Sequence, residues 1–448
     1  MSMSKEMEQT FALFYGMANA LSDLAEPVEM APEERVKRAK AVFLEKLDAD
    51  MAVELESCIH CGMCAEACHY YLGTKNPKYT PIRKLDLLKR FYRREVSPLR
   101  WLHQLYTRDI SADDLVAWQE LVYDSCTECG RCSMMCPMGI HIAEMVGVNR
   151  QALAQAGLIP AELQVMQQGQ FEKGTIFDAD VDVLEYKINE ISEQNGIRIP
   201  VDEAPAEIMV LTSGLDIMLF NDALAGTAKI LNHMGVKWSF CTEAYESANF
   251  GLLSGHEDTQ RKTSTEIINK AAACGAKMII TPECGHAFPS LRWEGAEMVG
   301  HALPFEVMSV SEFLGRQVMD GKLKLKKATE RRVVALHDPC KVGRMGGSFA
   351  EARAVVEALG LELHETESNH QYNFCCGGGA GVFLINRAAD LRQKAYEIKI
   401  SEVKDTGAES LVVSCGSCRL NFEVGKMKAH DTINIDSLVA LVADNLAD

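Results

Sequence analysis

Apolar residues recur at near-helical spacing over residues 11–21, and Pro32-Glu33-Glu34 has the form of a helix start. Residues 1–50 are therefore expected to form an N-terminal helical segment. It either packs on the next domain or docks on a membrane subunit. Residues 156–205 read as a polar connector with a few helical turns, closed by Pro200 and Pro205. Beyond them the pattern changes. Short apolar or β-branched runs at 208–211, 278–280, 333–336 and 411–413 alternate with helical patterns at 223–233, 265–273 and 352–359. That alternation predicts an α/β region with a largely parallel sheet.

A chain of 448 residues, 47% hydrophobic and 24% charged, is long enough for two or three globular domains. No run of 18 consecutive apolar residues occurs, so no membrane-spanning helix is expected. The N-terminus shows no basic region, apolar core and cleavage site in series, so no secretory signal is expected. A formal net charge of −17 argues against nucleic acid as a partner. One stretch reverses that balance. Residues 78–108 hold nine Lys and Arg against Asp86 and Glu95, with Phe91, Tyr92, Trp101 and Tyr106 interleaved. Such a stretch is either a solvated helix face or a surface for anionic headgroups or an acidic partner.

Sixteen cysteines change the picture most, because they cluster in short motifs. Clustered cysteines in a chain of this size suit metal ligation better than disulfides. Cys58, Cys61, Cys64 and Cys68 have 2-2-3 spacing. So do Cys126, Cys129, Cys132 and Cys136, followed by Pro137. This is the spacing of two-cluster ferredoxins, in which the fourth cysteine of each run serves the other cluster. The crossed pattern assigns Cys58, Cys61, Cys64 and Cys136 to one cubane [4Fe–4S] cluster. Cys126, Cys129, Cys132 and Cys68 hold the second. Zinc is the alternative metal. His69 stands where a proline usually follows the run, and His60 reads as a surface or supporting residue.

Five further cysteines form a separate pattern: Cys340, the pair Cys375-Cys376, then Cys415 and Cys418. Cys340 and Cys415 each lie just past a predicted strand, where open α/β sheets build their sites. Adjacent cysteines can hold different metals of one cluster. Gly377–Gly379 and Gly381 let backbone approach closely and supply amide donors. A structural disulfide between Cys415 and Cys418 is the competing reading. The half also repeats: Cys241 and Cys284 lie 134 residues before Cys375 and Cys418. In that first copy Thr242 and Thr281 stand in place of cysteines. Cys241 and Cys284 either are buried thiols or line a substrate pocket, and Cys274 reads as a core thiol.

The five-cysteine pattern resembles the CCG domain of heterodisulfide reductases. Fused behind a two-cluster ferredoxin module, it is similar to membrane-complex proteins related to the D-subunit of heterodisulfide reductase. Within these it is most similar to the K-subunit (DsrK) type of the sulfite-reductase-associated transmembrane complex and its Hmc and Tmc relatives. The resemblance covers roughly residues 50–448. It implies an α/β protein with an α-helical ferredoxin module: a helical two-[4Fe–4S] domain over 51–155 with a basic insertion at 69–125, the 156–205 connector, a degenerate Rossmann-like CCG repeat over 206–325 and a complete one over 326–448. It also implies that Cys340, Cys375, Cys376, Cys415 and Cys418 hold an unusual, sometimes non-cubane, catalytic [4Fe–4S] cluster that reduces a disulfide or trisulfide.

The implied partners are an integral cytochrome b-type subunit, other subunits of a transmembrane redox complex and a small DsrC-like sulfur-carrier protein. The implied place is the cytoplasmic face of the inner membrane. His337, Lys341, Arg344, His286 and Arg419 are candidate proton donors or polarisers. Two other readings compete. One is an electron-transfer subunit of a quinone-linked flavin dehydrogenase (glycolate, lactate or glycerol-3-phosphate type), and one a heterodisulfide reductase for small thiols. A scaffold with structural clusters is a third. The incomplete first repeat disfavours the dehydrogenase.

Overall fold

The computed structural model describes residues 5–174, 181–282, 286–328 and 331–447. Among these, every named element before residue 208 is helical. The helix Lys5–Asp23 buries Phe11 and Phe14, and the Phe11 ring meets Phe220 edge-on with centroids 6.2 Å apart. The helix Pro32–Lys46 starts with Pro32 in its first turn, and Glu33 and Glu34 face the positive end of the helix dipole. Arg35 donates to the carbonyls of Val28 (2.6 Å) and Ala156 (2.8 Å). The N-terminal segment is thus packed on the protein's own body.

The connector expected over 156–205 holds two helices among its described residues. They are Ala161–Lys173 and Val181–Asn195, which bury Leu163 and Met166, and Leu184, Ile188 and Ile191. These apolar positions recur at helical spacing, but the polar residues between them hide the pattern.

Two four-stranded parallel sheets follow. Strands β1 (Ile208–Val210), β2 (Trp238–Phe240), β3 (Met278–Thr281) and β4 (Glu306–Ser309) are ordered β2-β1-β3-β4. Strands β5 (Val333–Leu336), β6 (Glu362–Leu363), β7 (Ser410–Val413) and β8 (Asn434–Ser437) are ordered β6-β5-β7-β8. All pairings are parallel, and the two orders are the same. The central strands are buried on both faces, which explains their continuous apolar runs.

The common topology replaces the gapless 134-residue register of the sequence. Strands β2 and β6 begin at Trp238 and Glu362, 124 residues apart. Cys241 directly follows β2, whereas Cys375 comes twelve residues after β6 ends, so these two cysteines are not equivalent in the fold. The repeats also share one core. Leu224 and Ala228 of the first belong to the same apolar cluster as Leu438 and Val442 of the second.

The carboxyl end of the first sheet buries two carboxyl groups. Glu246 accepts the amides of Ala248 (2.8 Å) and Gly214 (3.2 Å), and burial pushes its pKa up to about 8. Burial also raises Asp216 to about 6. The folded state therefore holds these protons above the pH at which the unfolded chain releases them. That stability is present below the ordinary carboxylate pKa and is lost as pH rises through about 8. The melting temperature should fall from pH 5.5 to 8.5, and the fall should be shallower in Glu246→Gln, as followed by circular dichroism.

Candidate functional site

The two ferredoxin-type runs fold into the same loop twice. His60 (φ 55°) and Glu128 (φ 48°) occupy matching left-handed positions, followed by Gly62 and Gly130 at φ 82° and 75°. Short helices, Met63–Ala67 and Arg131–Met134, begin at once. The crossed quartets each surround a cavity. Cys58, Cys61, Cys64 and Cys136 line one, and Cys68, Cys126, Cys129 and Cys132 line the other. Among the described residues, no three Cys, His, Asp or Glu side chains stand close enough to share a single ion. Four thiols around a cavity are the donor set of a [4Fe–4S] cluster, so the residues fit that group.

The quartets differ in surroundings. Cys61 is exposed, and so are Ile59 and Met138 beside it. The second quartet lies deeper, against the buried Lys84, whose Nζ donates to the Ser125 carbonyl. Burial alone would lower the Lys84 pKa, but the thiols of Cys68, Cys126 and Cys132 raise it overall. A retained ammonium there offsets thiolate charge.

The five-cysteine pattern converges at the second sheet. Cys340 follows β5 and Cys415 follows β7, so they flank the point where the strand order reverses. The loop after β6 brings in Cys375 and Cys376. Cys375, Cys376, Cys415 and Cys418 lie in one buried cluster, with Cys340 and Cys129 packed against it. Hydrogen bonds from Cys375 and Cys418, aided by the Gly378 amide, hold the Cys376 thiol well below its usual range. The Gly377 amide lies 3.4 Å from Cys375 Sγ, and Gly378 is equally far from Cys376 Sγ. Gly377 has φ 90°, and a Cβ there would stand 2.3 Å from Ala395 Cβ, so glycine is required. Cys415 and Cys418 are both free, against a disulfide.

Cys129 belongs to the second quartet yet packs against the cluster that holds Cys375, whose Sγ donates to Thr127 Oγ1 at 3.4 Å, so the two thiol sites adjoin. Side chains that the cysteine spacing did not reveal hold them together. Arg150 is fully buried and donates to the carbonyls of Leu253 (2.6 Å), Ala380 (2.8 Å), Cys126 (2.8 Å) and Val122 (2.9 Å). The Tyr70 hydroxyl donates to the Gly377 carbonyl at 2.7 Å. Arg131 donates to Tyr372 and Ala67 and lies over the Phe374 ring. His69 is buried beside Tyr70, near Cys129 and Cys376, with neither ring nitrogen hydrogen-bonded within the protein. Burial lowers its pKa to about 4, so its ring is neutral near pH 7.

The candidate proton donors fall in different settings. His286 accepts the Ala380 amide through Nε2 at 2.9 Å, and burial lowers its pKa to about 3. It positions the glycine-rich loop. His337 is buried with Nδ1 3.3 Å from Asn373, and burial lowers its pKa to about 4. Arg344 clamps the carbonyls of Cys129, Gln371 and Asn373. Arg419 pairs with Asp222 at 2.8 Å. Lys341 is half-buried, donates to the Glu128 carbonyl at 3.3 Å and lines a broad cleft with Glu294 and Met345. Lys341 therefore combines a charge with a route to solvent. Cys241 is buried with its Sγ 3.7 Å from Cys274, and burial raises its pKa to about 12, so both are core thiols. Cys284 lies outside the described residues.

Comparison with known proteins agrees with this geometry. The model of the 4Fe-4S dicluster domain family matches residues 54–140, and that of the cysteine-rich (CCG) domain matches residues 334–423. The chain is similar to the D-subunit of heterodisulfide reductases. With the dihydromethanophenazine:CoB–CoM heterodisulfide reductase D-subunit of Methanosarcina barkeri it shares 24% identity over 425 residues, covering 92% of this chain and 98% of the relative. An Hdr-like menaquinol oxidoreductase iron–sulfur subunit of Archaeoglobus fulgidus is 24% identical, covering 86% of this chain and 79% of its own. The glycolate oxidase iron–sulfur subunit of Escherichia coli is 21% identical, covering 83% and 90%. Among the described residues no helix is long and apolar enough to cross a membrane.

Proposed function

We propose that this chain is the iron–sulfur electron-transfer and catalytic subunit of a membrane-associated complex of the DsrK type. It works between a quinone pool, reached through a cytochrome b-type partner, and a disulfide or trisulfide on a small DsrC-like sulfur carrier. Cys58, Cys61, Cys64 and Cys136 hold one cubane [4Fe–4S] cluster, and Cys126, Cys129, Cys132 and Cys68 hold another. Cys340, Cys375, Cys376, Cys415 and Cys418 hold the catalytic cluster. The packing of Cys129 against the cluster of Cys375, Cys376, Cys415 and Cys418 supports this reading most, because it makes the second quartet the neighbour of the five-thiol site. The bound clusters supply electrons one at a time.

Reducing R–S–S–R′ to two thiols takes two electrons and two protons. The chain's part is to bind, exclude water and deliver those protons. Lys341 is the donor with a route from solvent. His286 and Asn421, which donates to the Cys376 carbonyl at 2.5 Å, fix the loop that carries the thiols. The buried thiol site keeps bulk water from the electrons.

The similarity to a glycolate oxidase iron–sulfur protein supports a second reading, an electron-transfer subunit of a quinone-linked dehydrogenase. One assay separates them. Reduced viologen should drive thiol release from a trisulfide- or disulfide-bearing carrier protein, with two electrons consumed per bond. No thiol release from any sulfur substrate, alongside normal quinol-linked reduction, would favour the dehydrogenase reading.

A further inference from the structure

The basic insertion carries a tip that none of the described residues covers. The helix Arg100–Tyr106 has no buried residue. Around it Leu99 is 53% exposed, Trp101 65%, Leu102 38%, Leu105 77% and Tyr106 66%. Its base is firm: Phe91, Tyr92 and Ile110 are buried. Five large apolar side chains in eight residues, held out on a packed base, form a contiguous patch of the kind that marks an interaction site.

We infer that this tip docks on an anionic lipid surface, with Trp101, Leu105 and Tyr106 entering the headgroup region. Charge selects that occupant. Five of the segment's nine basic residues are ion-paired and Lys84 is buried, which leaves Lys89, Arg93 and Arg100 in a chain of net charge −17. Of the nearby acids, Glu95 and Asp109 are matched by Lys40 and Asp114 by Arg90 and Arg108, which leaves the exposed Asp113. The outward balance at the tip, with Arg100 exposed, is cationic. Aromatic rings with Arg and Lys are the composition of interfacial anchors. Integral membrane proteins, by contrast, concentrate Lys and Arg in their cytoplasmic loops, which would repel this patch. The inference does not depend on the sulfur chemistry proposed above.

The test is co-sedimentation of the cluster-loaded chain with vesicles of phosphatidylcholine alone or mixed with phosphatidylglycerol. Binding is expected only to the anionic vesicles, weakening as salt rises. The double variant Trp101→Ser, Leu105→Ser should bind at least about tenfold more weakly, since it removes apolar insertion without touching the core. Arg100→Glu should weaken binding at low salt and make what remains less sensitive to salt. Absorbance of the bound clusters shows that the variants stay folded. The proposal fails if the wild type stays in the supernatant, or if the double variant sediments equally well. It fails too if the variant loses only an integral partner protein and keeps its lipid binding, which would make the tip a protein interface.

Discussion

Replacing Cys376 by serine should abolish disulfide-dependent turnover by at least about a thousandfold, on the order of 4 kcal/mol in the barrier. The two ferredoxin-type sites should still accept electrons from dithionite as in the wild type. Cys376 occupies the middle of the thiol chain, touching Cys375 on one side and Cys418 on the other, and its Sγ faces the Gly378 amide. Those neighbours favour the thiolate, which is the metal-binding form. A serine hydroxyl fits the space but does not ionise near neutral pH, so it leaves the donor set short. Cys241→Ser is the matched control. Cys241 is buried in the apolar core of the first repeat beside Cys274, and turnover should stay within about twofold of wild type. Thiol release and the visible spectrum of each variant check both statements.

The largest stability effect should come from Arg150→Met. Arg150 is fully buried, and its guanidinium feeds four carbonyls: Val122 and Cys126 around the second quartet's loop, Leu253 in the first repeat and Ala380 in the glycine-rich loop. Glu128 Oε1 lies 3.4 Å from its Nε. Methionine keeps much of the volume and removes every donor, leaving buried acceptors and a carboxylate without their partner. Such losses cost about 3–5 kcal/mol. Arg150→Lys keeps the charge but lacks the planar fork, so it should restore only part of the loss. Denaturation of the cluster-loaded protein measures this. If only the ferredoxin module is anchored by Arg150, the glycine-rich loop will keep its amide protection in the variant. If Arg150 joins the modules, that protection will fall as well.

How much of this was legible in the sequence depends on range. The 2-2-3 cysteine spacing is local, so the crossed quartets are an expectation that the spacing alone can supply, and in the structure each quartet lines a cavity. Strands β1, β3, β5 and β7 were visible because central parallel strands are continuous apolar runs. Outer strands such as Glu362–Leu363 and Asn434–Ser437 are short and partly polar, and left no such trace. The 134-residue register matched Phe240-Cys241 to Phe374-Cys375, but the fold puts the first pair at a strand end and the second in a long loop. The packing of Cys129 against the cluster that holds Cys375 brings together residues 246 apart in the chain, and no local pattern encodes it. Arg131, Arg150 and Arg344 were equally hidden as clamps, since their partners are backbone carbonyls, which every residue carries. His69 was noticed only as a missing proline; its burial next to both thiol sites needed the fold.

The central claim is that the five thiols around Cys376 are where a sulfur–sulfur bond is reduced, with the two quartets feeding them. The most direct measurement is electron paramagnetic resonance of the oxidised, cluster-loaded protein during titration with a disulfide- or trisulfide-bearing carrier. A new paramagnetic signal should grow with substrate and be absent from Cys376→Ser. A spectrum unchanged by substrate, together with a Cys376→Ser variant that still turns over, would contradict it.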